Sequence, residues 1–246
     1  VQAVGRLIAM MRLQSVLFGR GRQVALVLFA AFFGVTAVPA AWAERPLNER
    51  PMYGYDTPKT DTQLAADAQF VKGALDHFDG SRKAAARASI ELGWKYFEKG
   101  DLPTSIKRFN QAYLLDPTHG GSYAGMAVVV LVRGGQPDEA EGLFQRAINS
   151  HIITDPVHVN YGLFLMQQNR NLEAEVHVDA GLKLNPDAFQ IRFVHAGLLD
   201  ALGRTEESLQ EIGRACGDAK RFGGFDGQPD ADMIRAKCAD IGMPLN

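Results

Sequence analysis

The feature that most constrains this chain is a spacing. From Ala86 onward, Gly100, Gly135, Asn169 and Gly203 follow one another at intervals of 35, 34 and 34 residues, each between two apolar helical stretches. In the same phase stand Ser105, Ala140, Ala174 and Ser208, then Phe109, Phe144, Val178 and Ile212, then Ala112, Ala147, Gly181 and Ala215. A period of this size means a stack of small units, none of which buries its apolar face alone. The residue types say what the unit is. Small side chains in the Ser105 column let the second helix of a pair approach the first, and bulky ones in the Phe109 column fill the space between pairs. Gly or Asn at the turn supplies the positive φ that ends the first helix. Pro137 suits a first helical turn, where its missing N–H costs nothing. Asp116-Pro117 and Asn185-Pro186 stop the second helix of two units. The expected fold class is all-α.

This helix-turn-helix unit resembles the tetratricopeptide-repeat (TPR) family, whose signature places Leu-Gly and an aromatic before the turn, Ala and Phe after it, and Pro at the end. Residues 86–119 carry it most fully, with Leu92-Gly93, Tyr96, Gly100-Asp101, Phe109, Ala112 and Asp116-Pro117. Residues 155–188 keep Tyr161-Gly162, Ala174 and Asn185-Pro186. Residues 121–154 keep Ala140, Phe144 and Ala147 but put Val128 where Gly is usual and Ile152 where Pro is usual, and residues 189–222 keep Ala196, Gly203 and Ala215. The resemblance implies a right-handed superhelix of four helix pairs. In the second unit, Ser122 to Arg133 is apolar on nearly every side, as suits an interior helix of a stack.

A stack needs caps, because each terminal unit has an apolar face without a neighbour. Thr60-Asp61-Thr62-Gln63 has the capping-box pattern, so a helix is expected over 61–78 with Leu64, Val71, Leu75 and Phe78 as its stripe and Phe70 and Ala74 beside it. It covers the first repeat, or else it or the preceding stretch occupies the groove. Residues 44–59, rich in Pro and charge, read as an extended, largely disordered leader carrying Tyr53 and Tyr55. After a loop with Gly223, Gly224 and Gly227, residues 230–241 read as a C-terminal capping helix. Cys216 and Cys238 are the only cysteines, and they read either as a disulfide or as two buried thiols. Asp226, Asp230 and Asp232 do not have the spacing of a calcium loop, and no metal is expected.

Charge and hydropathy set the start of the chain apart. The first 43 residues contain Arg6, Arg12, Arg20 and Arg22 and no acidic residue. Val24 to Val38 is continuously apolar and leads through Pro39 to Ala41-Trp42-Ala43, which together make the three parts of a secretory signal peptide. Cleavage is expected after Ala43, with an uncleaved anchor as the other reading, although the apolar run is shorter than the roughly 20 residues of a span. Met10 and Met11 are candidate translation starts, and no Cys follows the cleavage positions for lipid attachment. Removing those four arginines from the 26 basic residues leaves 22 against 28 acidic ones, a balance unsuited to nucleic acid. The expected location is outside the cytoplasmic membrane, periplasmic or secreted.

The resemblance also implies where function resides. In TPR proteins the first helices line an inner surface that receives a peptide or a partner's helix. Carried over by position, the lining is Ile90, Trp94, Phe97, Val129, Val132, Val159, Leu163, Met166 and Phe193, an apolar groove with Trp94 and Phe97 as leading contacts. Several of these would instead pack on the N-terminal helix. The carboxylate clamp of co-chaperone TPR domains does not carry over, since Ile90, Trp94, Met126, Pro156 and Asn160 stand at its places and only the Asn survives. Arg87 and Arg133 read as solvated charges. No nucleophile with a base and no phosphate loop is present, and none of the six histidines is paired at i, i+4. No cofactor is expected, and His158 and His195 read as core histidines. The sequence therefore points to a non-catalytic adaptor or assembly factor that binds an envelope or secreted protein. The alternative is an accessory subunit of a cell-envelope hydrolase, or a hydrolase whose site is unrecognised.

Overall fold

In the computed structural model, residues 45–55, 57–222 and 231–245 are described; the signal-like segment, the Gly223–Gly227 loop and the Asp226 and Asp230 cluster lie outside them. The described residues form an all-α superhelix. Two short 3-10 turns, Leu47–Glu49 and Pro51–Tyr53, precede α1 (Asp61–His77). Four helix pairs follow: α2 (Arg82–Glu98) with α3 (Leu102–Leu115), α4 (Gly120–Val132) with α5 (Pro137–Ile148), α6 (Asp155–Gln167) with α7 (Asn171–Leu184), and α8 (Phe189–Ala201) with α9 (Thr205–Phe222). The last element is α10 (Ala231–Asp240). None of these helices is long and apolar enough to cross a membrane.

The helix ends are set locally. Thr60 and Gln63 form the reciprocal capping box of α1, and Ser81 and Asp101 cap α2 and α3 through the N–H groups of Ala84 and Thr104. Gly100, Asn169 and Gly203 have positive φ at the turns of their units, but in the second unit that role falls to Gly134 and not Gly135. The extra residue of the period thus belongs between the second and third turns, not the first and second.

Within pairs, the small-residue column is a contact. The Ser105 hydroxyl donates to the Gly93 carbonyl at 2.9 Å, and in the fourth pair the Ser208 hydroxyl donates to the Ala196 carbonyl at 2.8 Å. Between pairs, Phe109 reaches from α3 across Gly93 to Gly125 of α4. Phe144 stacks on Tyr161 and packs on Phe164 of the next pair. The departure at Ile152 has a structural reason. Its N–H donates to the Thr118 carbonyl at 3.1 Å while its carbonyl accepts from Gly120 N–H at 2.8 Å, tying together the loops before and after the second pair. Proline has no N–H to make the first of these bonds.

The leader departs from expectation. Instead of extended, disordered chain, residues 45–55 are folded onto the second helices. The buried Asn110 amide on α3 donates to the carbonyls of Asn48 (2.9 Å) and Arg50 (2.7 Å), and Lys107 pairs with Glu49 at 3.0 Å. Arg133 is no solvated charge: its buried side chain donates to the Glu49 carbonyl and faces the Glu49 carboxylate at 3.7 Å. Met52 enters the main core, Lys59 lies over the Tyr53 ring, and Arg146 of α5 faces Tyr55. Met52, Tyr53 and Tyr55 hold positive φ, a conformation costing roughly 1–2 kcal/mol per residue that persists only where surrounding contacts enforce it. Replacing Asn110 by alanine strips the donor from two leader carbonyls. The expected loss is about 1–3 kcal/mol, with faster proteolysis of the leader and unchanged proteolysis of α6–α9.

The helix α1 lies against the first pair, where Phe70, Val71, Ala74 and Phe78 pack on Ala85, Ala86 and Leu115. Leu64, expected in that stripe, is exposed, because it falls nearly two turns before the contact begins. At the other end, Cys216 of α9 and Cys238 of α10 form a disulfide with a Cα–Cα distance of 5.7 Å, inside a satellite core with Phe189, Ala196, Ile212 and Ile234.

Candidate protein-binding surface

The nine residues of the expected groove do not share one environment. Ile90, Trp94, Val129, Val159 and Leu163 are buried in the main core. The reason is the smallness of their neighbours. A Cβ on Gly121 would come within 3.2 Å of Ile90, and one on Gly181 within 2.7 Å of Val159, so glycine backbones draw the helices over these side chains. Trp94 is edge-on to Phe97 and Phe109, with centroids 5.6 and 5.2 Å away. Its ring is core, not a contact anchor. Phe193 is half-buried and packs against the C-terminal satellite core.

The remaining three lie at the ends of first helices, with Val132 one residue out of register with the other two. Phe97, Val132 and Met166 each occupy the last turn of a first helix, in α2, α4 and α6. Phe97 and Met166 are half-buried and Val132 is 39% exposed. Equivalent positions on successive units of a stack lie side by side. Phe97 and Met166 stand three residues before Gly100 and Asn169. The half-buried Leu131 holds that place before Gly134, with Val132 next to it, and the exposed Asp200 holds it in α8. Phe97, Leu131 and Met166 therefore make the apolar stripe along the ends of the first helices.

Two further groups on the first helices escaped the sequence reading. Asn160 on α6 and Gln190 on α8 are each 1% exposed, and both amide atoms of each have no hydrogen-bond partner among the described residues. A buried primary amide costs free energy until its donor and acceptor are met. Asn160 drew attention only as a remnant of the clamp, and Gln190 carried no signal, because satisfaction of an amide depends on its surroundings and not on its identity.

The histidines are likewise resolved by packing. His119 caps α4, its Nδ1 accepting from Gly121 N–H at 3.1 Å, and burial holds its pKa below the ordinary value. His195 lies 3.5 Å from Asp179. His158 and His177, 19 residues apart in sequence, meet at 3.2 Å. Among the described residues no group of three or more His, Cys, Asp or Glu is placed to hold a metal ion.

Comparison with known proteins places this arrangement. No family model matches the chain. A 96-residue stretch is 31% identical to the type IV pilus assembly protein PilF of Pseudomonas aeruginosa; it makes up 39% of this chain and 38% of that protein. The structure of P. aeruginosa PilF superposes with a TM-score of 0.52 at 20% identity, over 65% of this chain and 68% of the other. TTC0263, a TPR protein of Thermus thermophilus, does so at 0.51 and 19% over 73% and 94%. At such identities a structural likeness speaks for the fold, and here it joins a four-column repeat and four stacked helix pairs. In fold, the chain is a tetratricopeptide-repeat protein.

Proposed function

We propose that this protein is a non-catalytic adaptor or assembly factor of the bacterial cell envelope, which binds a segment of a partner protein along the first helices of its repeats. The reading is carried by the stripe of Phe97, Leu131 and Met166, apolar side chains at one register, with the exposed Val132 beside Leu131. A partner's amphipathic helix or apolar strand presents side chains at a regular rise and suits such a line. The unpartnered amides of Asn160 and Gln190 add polar groups able to hydrogen-bond a peptide backbone once the helices part slightly around it. The stretch similar to a pilus assembly protein supports an assembly role. The basic, apolar and small-residue succession of the first 43 residues supports export to the periplasm or beyond.

The test is co-purification from the native envelope with the wild-type chain, with a Val132→Asp/Met166→Asp double variant and with a Leu172→Asp control. Leu172 is 74% exposed on α7, a second helix. Wild type and control should retain one stoichiometric protein partner, and the double variant should bind it at least about tenfold more weakly, as a charge set into an apolar contact costs more than 1.4 kcal/mol. Equal retention by all three, or turnover of an envelope substrate with no stoichiometric partner, overturns the proposal.

A further inference from the structure

Repeat three holds a contact unlike any other in the stack. His158 projects from α6 and His177 from α7, and their Nδ1 atoms are 3.2 Å apart. The ring centroids are 5.5 Å apart with planes inclined by 25°. The excess of the centroid distance over the nitrogen distance is close to twice the radius of an imidazole ring. Each Nδ1 therefore lies near the line of centres and aims at the other. Lone pairs chelating one metal ion would instead converge on a point off that line. The arrangement is an N–H···N hydrogen bond, one Nδ1 donating and the other accepting. Two bare nitrogens here would repel, and so would two N–H groups.

We infer that the His158–His177 pair is a proton-operated joint, closing α6 on α7 while it holds a single bridging proton and loosening the third repeat when a second proton enters. The donor ring can take a proton at its bare Nε2 and keep the bridge. A proton at the acceptor's Nδ1 turns the acceptor into a donor, so the hydrogen bond is lost, and with both protons bound two cations face each other in a half-buried site. The surroundings favour the singly bridged state. Burial lowers the pKa of both rings, and His158 lowers that of His177 further. Glu173, one turn earlier on α7, acts in the opposite sense on His177 but is held by Arg170 at 2.7 Å. On the α5 side, Glu141 is taken by Arg170 and the Tyr161 hydroxyl. Tyr161 of α6 places its uncharged ring 4.5 Å from His177, and on the α8 side Asp179 faces His195. No carboxylate among these is placed between the two rings to neutralise a second proton.

The sign follows from linkage. Both folded-state pKa values lie below the unfolded value of about 6.5, so the unfolded chain binds protons that the closed joint refuses. Stability is fully present above that pH and is lost as pH falls below it.

Hydrogen exchange of the full chain between pH 7.5 and 5, corrected for the intrinsic pH dependence of exchange, tests the joint. Protection of α6 and α7 should fall about tenfold or more relative to α2 and α3, as one proton contributes a factor of ten per pH unit across its linked range. His177→Asn keeps a polar atom near the Nδ1 position without a titrating partner, and in this variant the differential loss should shrink to the part that burial of His158 alone supplies. Nitrogen NMR of histidine-labelled wild type at pH 7.5 should show one of the two residues protonated at Nδ1 and the other bare there. Equal loss in all repeats, a local loss undiminished in His177→Asn, or two rings both bare at Nδ1 overturns the inference. The joint stands apart from the partner-binding reading, since every readout reports on the helices themselves.

Discussion

Phe109→Ala is expected to lower the stability of the solenoid by about 3–5 kcal/mol, the range for removing a fully buried phenylalanine. The upper part of the range applies because of what surrounds the ring. Phe109 is completely buried between α2 and α4, and the faces it meets there are glycines: a Cβ on Gly93 would come within 2.6 Å of the ring and one on Gly125 within 2.3 Å. Neither glycine has a side chain to fall into the space the ring leaves. The same geometry predicts a reversal. Gly125→Ala in the wild-type chain forces the ring away and destabilises, whereas in Phe109→Ala it partly fills the void and recovers stability. Urea denaturation of the four members of this cycle, followed by circular dichroism, measures both effects. A Gly125→Ala change with the same sign in both backgrounds would show that the ring does not sit between the two glycines. Because each unit of a repeat stack touches mainly its neighbours, the loss should uncouple α1–α3 from the rest before it unfolds α8–α10.

Reducing the Cys216–Cys238 disulfide, or replacing both residues by alanine, is expected to cost about 3 kcal/mol for a loop of 22 residues on the chain-entropy estimate. The effect should be confined to the C-terminal end. The helix α10 contributes Ile234 and Cys238 to a satellite core whose other members come from α8 and α9. Released α10 uncovers Phe189, Ala196, Ile212 and Ala215, so its own amides and those of α9 should exchange faster, with α2 to α5 unchanged. Hydrogen exchange with and without reductant gives the answer directly. Uniform destabilisation of all four pairs would contradict a stack whose units are coupled only to neighbours.

Much of this architecture was legible because a repeat states the same packing rule several times. The column of Ser105, Ala140, Ala174 and Ser208 predicted close helix approach, and Ser105 and Ser208 make the same hydroxyl-to-carbonyl bond in the first and fourth pairs. The capping box at Thr60 was readable because its partners are three residues apart. The binding surface was less legible. Position within a repeat identifies the helix a residue sits on, but whether it reaches solvent depends on the neighbouring helix. Gly121 and Gly181 closed the structure over Ile90 and Val159, while Val132, three residues beyond Val129, stayed at the surface.

The leader and the histidine pair show the limit from another side. Pro-rich, charged residues 45–55 have the composition of solvated chain, and distant contacts hold them in place, among them those of the buried Asn110 and Arg133, some 60 and 84 residues away from their partners. His158 and His177 have no local pattern at all. The amino-acid sequence by itself determined the helix pairs, their number and, but for the one-residue shift from Gly135 to Gly134, their turns, since these rest on contacts within about one repeat length. Tertiary structure decided which side chains remain at the surface, where the leader lies and which histidines share a proton. Those outcomes depend on groups distant in sequence meeting within a few ångströms, where burial and hydrogen bonding, not residue type, set the free energy.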